Sequence, residues 1–377
     1  MTLLQNDEII RIENTAFRQD CLDIRWRVTS MCNYQCDFCI QGDRRTHQAL
    51  AKGENARTRM EICQKLRRLM DGLTGYDRIK LSLIGGEVTI LKDFPQILEI
   101  LAGCSFPGEI SFDLTTNFSA SPEYYADLAR IIRECSRADA DRILHITASY
   151  YSAYVSQAEF LKKTEQLLKL LPQERPAGSF LQKLSHRLLH HGSIHQTFFF
   201  SVVYPVLCDR DYEQFLSMRN ALSNTVVPVR PLAIRNYETT LSPAAEYNLL
   251  QTLKKTPTLR VTSGDGSTTA FENIRALGEA LKKNGSFCPR GCLCDAGIHN
   301  FWVNAFGDVY RCPAIGSDMF LGNLPNGTMQ LLTAPAVCTS GHCSCNQFGL
   351  IERVPKIPLP RTAHPHSRSF TQKSGMT

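Results

Sequence analysis

Three cysteines in one short stretch are the residues of this sequence best suited to hold a metal cofactor. Cys32, Cys36 and Cys39 lie in RVTSMCNYQCDFCIQGD (27–43), with three and then two residues between them. Thiolates are the protein ligands of iron–sulfur clusters, and a cubane cluster held by three cysteines keeps one iron free for an outside ligand. Zinc is the alternative, although zinc sites usually contain C-x2-C pairs. The spacing favours a cluster with an open, reactive iron.

Seven further cysteines are grouped near the C-terminus. They are Cys288, Cys292, Cys294, Cys312, Cys338, Cys343 and Cys345. The remaining five, Cys21, Cys63, Cys104, Cys135 and Cys208, are isolated and are predicted to be packing residues. Because the N-terminus carries no export-signal pattern, a disulfide network is not expected. Both groups are therefore candidate metal ligands.

The composition is that of an ordinary globular protein. Of 377 residues, 43% are hydrophobic and 21% are charged. Lys and Arg number 42 against 36 Asp and Glu, and this net charge of +6 is too small and scattered to predict binding to nucleic acid or to an anionic membrane surface. No run of about 18 apolar residues predicts a membrane span. These features favour a cytoplasmic protein without a membrane partner.

The elements that must position the first three cysteines are predicted by an alternation of strand and helix patterns. Strand patterns occur at 22–28, 78–84, 109–116, 142–150, 196–204 and 225–232, and helical patterns occur at 56–73, 93–103, 122–135, 156–171 and 210–222. This alternation favours parallel βα units in an open sheet or a partial barrel. Ligands bind at the carboxyl ends of the strands in such folds, and the cysteine loop directly follows the first strand.

The cysteine loop and the ends of later strands resemble the radical S-adenosylmethionine (SAM) superfamily. Gly85, Gly86 and Glu87 follow the second strand and match the GGE motif of that family, in which the carboxylate accepts from the methionine ammonium of SAM. Phe118 stands where the family usually has a glycine, directly after Asn117. The SAM-binding residues that the resemblance implies are Phe38, Gly85, Gly86, Glu87, Asn117 and Ser149.

The resemblance implies an α/β fold, with a partial (βα)6 TIM-like barrel as the radical SAM core at 21–235. It also implies a [4Fe–4S] cluster with an open iron and reductive cleavage of SAM. The resulting 5′-deoxyadenosyl radical abstracts a hydrogen atom from a substrate, while the protein supplies binding and orientation. An electron donor such as a flavodoxin or ferredoxin is the expected partner.

A second pattern involves Cys294, Gly307 and Cys312, which are separated by twelve and four residues. FWVNAFGDVYRC (301–312) predicts two short strands around a glycine-containing turn, with Cys312 on the hairpin. This resembles the SPASM and twitch domains, which implies at least one auxiliary [4Fe–4S] cluster. Its implied ligands are Cys288, Cys294, Cys312 and one of Cys338, Cys343 and Cys345. A second cluster that includes Cys292 is an alternative, and a zinc ribbon is another.

The remaining segments complete the expected domain division. The division is an N-terminal lead-in (1–20), the core (21–235) with an insertion at 172–195, a helical linker (236–285), a SPASM/twitch-like domain (286–350) and a disordered tail (351–377). His186, His190, His191 and His195 are predicted to lie on a solvated helix face.

The expected substrate is a peptide or protein, because enzymes of the resembled type mostly modify side chains by cross-link, thioether or epimerisation chemistry. A radical dehydrogenase of a small molecule is the alternative, and a non-catalytic metal-binding protein is a remote one. Tyr150, Tyr151 and Arg230 are candidates for the catalytic or substrate site, because they lie near strand ends.

Overall fold

The structure is a computed structural model, and it describes residues 8–39, 44–136, 140–171, 197–233, 240–253, 256–281, 287–313, 319–343 and 348–353. Its strands are β1 (Ile9–Asn14), β2 (Cys21–Thr29), β3 (Arg78–Gly85), β4 (Glu109–Thr116), β5 (Arg142–Ser149), β6 (Phe198–Val206), β7 (Val229–Ala233), β8 (Leu259–Ser263), β9 (Thr268–Phe271), β10 (Cys292–Cys294), β11 (Asn300–Val303), β12 (Asp308–Tyr310), β13 (Phe320–Asn323), β14 (Ala336–Val337) and β15 (Leu350–Arg353). Its helices are α1 (Arg44–Ala51), α2 (Ala56–Asp71), α3 (Phe94–Ala102), α4 (Pro122–Cys135), α5 (Gln157–Leu170), α6 (Asp209–Ala221), α7 (Pro243–Leu253) and α8 (Ile274–Ala280).

The larger of two sheets is built from the predicted βα alternation. Its order is β13-β12-β11-β2-β3-β4-β5-β6-β7, and β2 to β7 are parallel and adjacent in chain order. Because parallel crossovers are right-handed, strands added in one direction place their helices on one face. Helices α2, α3, α4 and α5 contact one another in that order. The predicted α/β fold is confirmed.

Alternating side chains give this sheet two different faces. In β4, Phe112 and Leu114 are buried under the helices, whereas Asp113 and Thr115 lie on the opposite face. The predicted strands and helices agree with the structure within a few residues, except that the last strand begins at Val229 and not at 225. Thr225 instead donates its hydroxyl to Leu222 O at 2.7 Å in the turn after α6.

The smaller sheet corrects the predicted domain division. Its order is β14-β10-β15-β1-β8-β9, so β1 from the expected N-terminal lead-in lies between β15 and β8. The segment 236–285 was expected to be a helical linker, but it contributes β8 and β9 as well as α7 and α8. These strands have only four or five residues, which is too few to give a clear period in the sequence.

The predicted hairpin is present as β11 and β12, and it extends the larger sheet because β11 pairs in parallel with β2. Gly307 in its turn has a φ of 85°, and a Cβ there would lie 2.4 Å from Pro325 Cδ. Glycine is therefore required by both the backbone conformation and the contact. The expected domain 286–350 supplies strands to both sheets, and the expected tail begins within the strand Leu350–Arg353.

Several predictions lie outside the described residues, namely the insertion 172–195 with its histidines, Cys345, and the tail after residue 353. None of the helices in the part of the chain given above is both long and apolar enough to cross a membrane.

Candidate functional site

The loop after β2 carries Cys32, Cys36 and Cys39 at the carboxyl edge of the larger sheet, with all three side chains partly exposed. Cys39 N donates to Cys36 O at 3.0 Å, and Tyr34 N donates to Cys32 Sγ at 3.4 Å. Burial, with smaller contributions from the charges of Cys32 and Cys39, raises the pKa of Cys36 to about 12. The three sulfurs therefore lie close enough to repel one another as thiolates, and bound metal would relieve that repulsion.

Within the described ranges, no three His, Cys, Asp or Glu side chains are placed to hold one metal ion. A single zinc ion needs its sulfur ligands about 2.3 Å from one point. A cubane cluster binds each cysteine through a different iron, so its cysteines lie further apart. The cubane cluster expected at this loop stays a prediction.

Gly85 and Gly86 fasten this loop to the end of β3. Gly86 N donates to Thr29 O at 3.0 Å, and Glu87 N donates to Met31 O at 2.8 Å. A Cβ on Gly86 would lie 2.1 Å from Met31 O, and a Cβ on Gly85 would lie 2.2 Å from Thr29 O. The glycines are thus required by contact between two backbone segments, which holds the start of the cysteine loop in place.

The Glu87 side chain lies beneath the loop and is only 1% exposed. Its Oε1 accepts from Thr89 Oγ1 at 2.7 Å and from Thr116 Oγ1 at 2.9 Å, while its Oε2 accepts from Asn117 N. Burial raises the pKa of this carboxyl, and the hydrogen bonds partly offset that effect. The carboxylate therefore joins the ends of β3 and β4, and its predicted contact with a SAM ammonium stays a prediction.

Asn117 links the loop after β4 to the cysteine loop, because its Nδ2 donates to Asn33 Oδ1 at 2.7 Å. The next residue, Phe118, has a φ of 58°, the left-handed conformation that glycine adopts most easily. The backbone here keeps the conformation that the family's usual glycine would allow. Asn117 therefore keeps its contact with the cysteine loop with Phe118 at this position.

The segment after β5 clamps the cysteine loop from the other side. Tyr154 stacks on Tyr34 with ring centroids 4.0 Å apart, and its hydroxyl accepts from Gln35 N at 2.6 Å. Tyr151 lies edge-on to Phe38 at 4.9 Å and donates its hydroxyl to Asp37 Oδ2 at 3.3 Å. Tyr151, a predicted substrate residue, is therefore packed against Phe38, a predicted SAM residue.

The structure separates the other candidates from one another. Tyr150 is 2% exposed and packs against Phe160 and Tyr204, so its prediction as a residue facing substrate is wrong. Ser149 ends β5 and is half-buried. Arg230 on β7 lines a cavity beside the larger sheet and donates to Ser201 Oγ at 3.3 Å.

Two residues near the cysteine loop were missed by the sequence analysis. His47 is 8% exposed, with Nε2 3.3 Å from Cys39 Sγ and Nδ1 3.0 Å from Ser30 O. Glu54 accepts from Ser30 N at 2.8 Å and from Thr29 Oγ1 at 2.6 Å. Neither residue belongs to a periodic pattern or a recognised motif, so no signal in the sequence distinguished them.

A cavity of about 1210 Å³ is lined by the helix-free face of β3 to β7, through residues such as Asp113 and Arg230, and also by α4 and α5, through Ala129 and Leu168. Toward the amino ends of the strands, this face carries three ion pairs, Arg25–Asp23, Arg78–Glu109 and Lys80–Asp113. Toward the carboxyl ends, the strand register places Arg27, Thr115, Thr147, Ser201 and Arg230, with no acidic side chain among the described strand residues there. Among the described strand residues the charged side chains at this end are Arg27 and Arg230, and Glu54, which accepts from Ser30 N, acts electrostatically on Arg27.

The C-terminal cysteines are brought together in the cysteine module, defined here as residues 287–313 and 319–343. Cys294, Cys312, Cys338 and Cys343 line one cavity. Cys292 is buried close enough to Cys338 and Cys288 to interact electrostatically, and Cys343 N donates to Phe287 O beside Cys288 at 3.0 Å. The set around the cavity therefore differs from the expected one, because Cys338 and Cys343 both line it and Cys288 does not.

Comparison with known proteins gives partial matches. No family model matches the chain. The chain is 32% identical over 97 residues to a GTP 3′,8-cyclase of Psychromonas ingrahamii, a match that covers 25% of each protein. The chain thus spans about a quarter of the length of the curated relatives it matches.

Solved structures show more distant likenesses. Native anSMEcpe with bound AdoMet and Cp18Cys peptide has a TM-score of 0.45 and 15% identity, covering 82% of this chain and 79% of that one. BtrN in complex with AdoMet and 2-DOIA has a TM-score of 0.32 and 12% identity, covering 81% and 79%.

Proposed function

We propose, from the premise that this chain belongs to the radical SAM superfamily, that it is an enzyme that reductively cleaves SAM and abstracts a hydrogen atom from its substrate. The observation that carries the proposal is the three-cysteine loop at the carboxyl edge of the parallel sheet, fastened there by the Gly85–Glu87 turn. Strands β2 to β7 are adjacent in chain order and carry their helices on one face. This arrangement also suits the partial (βα)6 barrel of this superfamily.

Cys32, Cys36 and Cys39 would hold a [4Fe–4S] cluster, and SAM would lie beside Phe38, the Gly85–Glu87 turn, Asn117 and Ser149. The cluster, when bound, supplies the electron that cleaves SAM to methionine and a 5′-deoxyadenosyl radical. The chain orients the reactants, since the clamp from Tyr151 and Tyr154 fixes the loop against the sheet. A flavodoxin or ferredoxin would supply the electron in the cytoplasm.

The proposal includes an auxiliary [4Fe–4S] cluster held by Cys294, Cys312, Cys338 and Cys343. Four thiols that line one cavity match the ligand number of a closed cluster. Burial raises the pKa of Cys294 to about 12, so the site favours thiolates only when metal binds them. Cys288, Cys292 and Cys345 are left as ligands for a further, incompletely held cluster.

We further propose a peptide or protein side chain as the substrate, in line with the resemblance of Cys294, Gly307 and Cys312 to SPASM and twitch domains. A small molecule is the alternative, and the curated relatives favour it because their name states that they act on GTP. Arg230 would favour an anionic group on either substrate.

The test of SAM cleavage is 5′-deoxyadenosine formation by anaerobically reconstituted protein with a strong reductant. The wild-type chain should hold about 8 iron atoms and form deoxyadenosine, and replacement of Cys32, Cys36 and Cys39 together by Ala should remove about four irons and abolish cleavage. Cys135→Ala is the matched control, because Cys135 belongs to neither group. Stoichiometric zinc with almost no iron, or cleavage that persists in the triple variant, would overturn the proposal.

The substrate is tested by adding fractionated cell extract to the reconstituted wild-type chain and measuring deoxyadenosine. Stimulation by a peptide fraction that protease treatment abolishes would support a peptide substrate. Stimulation confined to the nucleotide and sugar fraction would establish the small-molecule alternative.

A further inference from the structure

Arg311 is a buried arginine in the cysteine module, and it has no acidic partner among the described residues. Arg311 is only 3% exposed. Nη2 donates to Cys294 O at 3.0 Å and to Ala336 O at 3.2 Å, and Nη1 donates more weakly to Val337 O at 3.4 Å. Its Nε–H is buried and has no hydrogen-bond partner within the described chain.

The acidic residues near Arg311 have other partners, since Asp308 accepts from Asn304 Nδ2 at 3.0 Å and from Asn323 Nδ2 at 2.9 Å. Asp295 accepts from Gly349 N at 3.0 Å and from Leu350 N at 2.9 Å. A buried guanidinium that is surrounded by neutral carbonyls loses its hydration without gaining a counter-charge, which is costly.

Arg142 shows how the same fold satisfies a buried arginine that has only a structural role. It is 0% exposed, and its donors reach the carbonyl oxygens of Ala102, Cys104, Phe106, Gly108 and Asp141. One of them, Ala102 O, lies at the C-terminal end of α3, where the helix dipole is negative. Arg142 therefore has an acceptor for Nε and a source of negative potential, and the described surroundings of Arg311 supply neither.

The missing counter-charge points to the cavity that Arg311 lines. Cys294, Cys312, Cys338 and Cys343 line the same cavity. As thiols these residues are neutral, but as ligands of an iron–sulfur cluster they are thiolates, and four thiolates outweigh the positive charge of the cluster core. The complex is then an anion beside a buried cation that has one unused N–H donor.

We propose that Arg311 is the counter-ion of the auxiliary cluster and that its charge and Nε–H make that cluster easier to reduce. The inference rests on the auxiliary cluster in the proposed function. Reduction adds negative charge to the cluster, and hydrogen bonds and nearby charge are what set the potential of such clusters. Arg311 is a positioning residue in this role, since it contacts ligands and backbone but no substrate.

The experiment compares Arg311→Gln, which removes the charge, with Arg311→Lys, which keeps it. Both are made in the full chain with Cys32, Cys36 and Cys39 replaced by Ala, so that the remaining electron paramagnetic resonance signal belongs to the C-terminal cysteines. We expect Arg311→Gln to lower the equilibrium constant for one-electron reduction about tenfold, which is about 59 mV. Arg311→Lys should recover most of this loss, and Arg142→Lys, the control, should leave the potential unchanged while lowering the melting temperature.

Each other outcome overturns the inference in a distinguishable way. Equal potentials in wild type, Arg311→Gln and Arg311→Lys, with iron content unchanged, would show that the arginine does not act on the cluster. Loss of iron from both variants would show that Arg311 acts only by holding the carbonyls of Cys294, Ala336 and Val337. If the wild-type chain with intact C-terminal cysteines holds no second cluster, the failure lies in the proposed auxiliary cluster itself, and iron analysis detects it before any variant is made.

Discussion

Phe118 combines a backbone conformation that glycine favours with a side chain that the core needs. Its φ is 58°, which costs a residue with a Cβ about 1–2 kcal/mol. The ring is 3% exposed and lies 4.8 Å from Tyr125, 5.3 Å from Phe160 and 5.2 Å from Phe200. These aromatic contacts offset the conformational cost at the strand end that presents Asn117.

Two substitutions separate these effects. Phe118→Ala keeps the strained backbone and loses the ring, so it should destabilise the protein by about 3–5 kcal/mol. Phe118→Gly removes slightly more side chain but relieves the strain, so it should be less destabilising than Ala by about 1 kcal/mol. The measurement is the free energy of unfolding in urea. A glycine variant that is less stable than the alanine variant would show that the φ of 58° is not strained.

At the scale of elements, the cysteine loop depends on contacts from the segment between β5 and α5. Tyr154→Ala removes both the stack on Tyr34 and the acceptor for Gln35 N, which together are worth about 1–3 kcal/mol. We expect iron to leave the three-cysteine site at least about fivefold faster when a chelator is added. Tyr154→Phe, which keeps the ring, should have a smaller effect.

Tyr247→Ala is the matched control for the clamp, because Tyr247 is 63% exposed on α7. Iron release is followed by absorbance in the variant with Cys312 replaced by Ala, so that the N-terminal cluster dominates the signal. Identical release rates from Tyr154→Ala and Tyr247→Ala would show that the stack does not hold the loop.

Strands and helices in which a hydrophobic pattern repeats over many residues were predictable from the sequence. The contacts between these elements were not. Strands such as β4 alternate buried and exposed residues over eight positions, and α2 repeats its apolar side over sixteen. The loop with the three cysteines was likewise predicted at the carboxyl edge of the sheet, where the structure has it. The clamp, His47 and Arg311 depend on how distant segments approach one another, and no local pattern encodes that approach.

At the scale of the whole molecule, the N-terminal strand belongs structurally to the C-terminal half. β1 pairs with β15 through residues such as Ile12, opposite Ile351, and with β8 on its other side. Ile9, Ile12, Leu259, Val261 and Ile351 share one buried cluster with Cys292, Cys294, Cys312 and Cys338. The smaller sheet therefore combines strands from the expected lead-in (1–20), linker (236–285) and C-terminal domain (286–350), and these six strands from distant segments close a single small core around the cysteines.

This arrangement predicts that a substitution near the N-terminus affects the cysteine module. Ile12 is 0% exposed in that small core, whereas Ile10, two positions earlier on the same strand, is 40% exposed. Ile12→Ala should lower the free energy of unfolding by about 2–5 kcal/mol, because it leaves a cavity in a core too small to repack. Ile10→Ala should change it by almost nothing.

Since β1 does not pair with β2 to β7, the loss of stability in Ile12→Ala should fall first on the smaller sheet. We expect faster hydrogen exchange in β8, β10 and β15 of Ile12→Ala, together with loss of about four irons, while β3 to β5 keep their protection. Equal exchange in β8, β10 and β15 of the Ile12→Ala and Ile10→Ala variants would mean that β1 merely covers the smaller sheet and does not support its core.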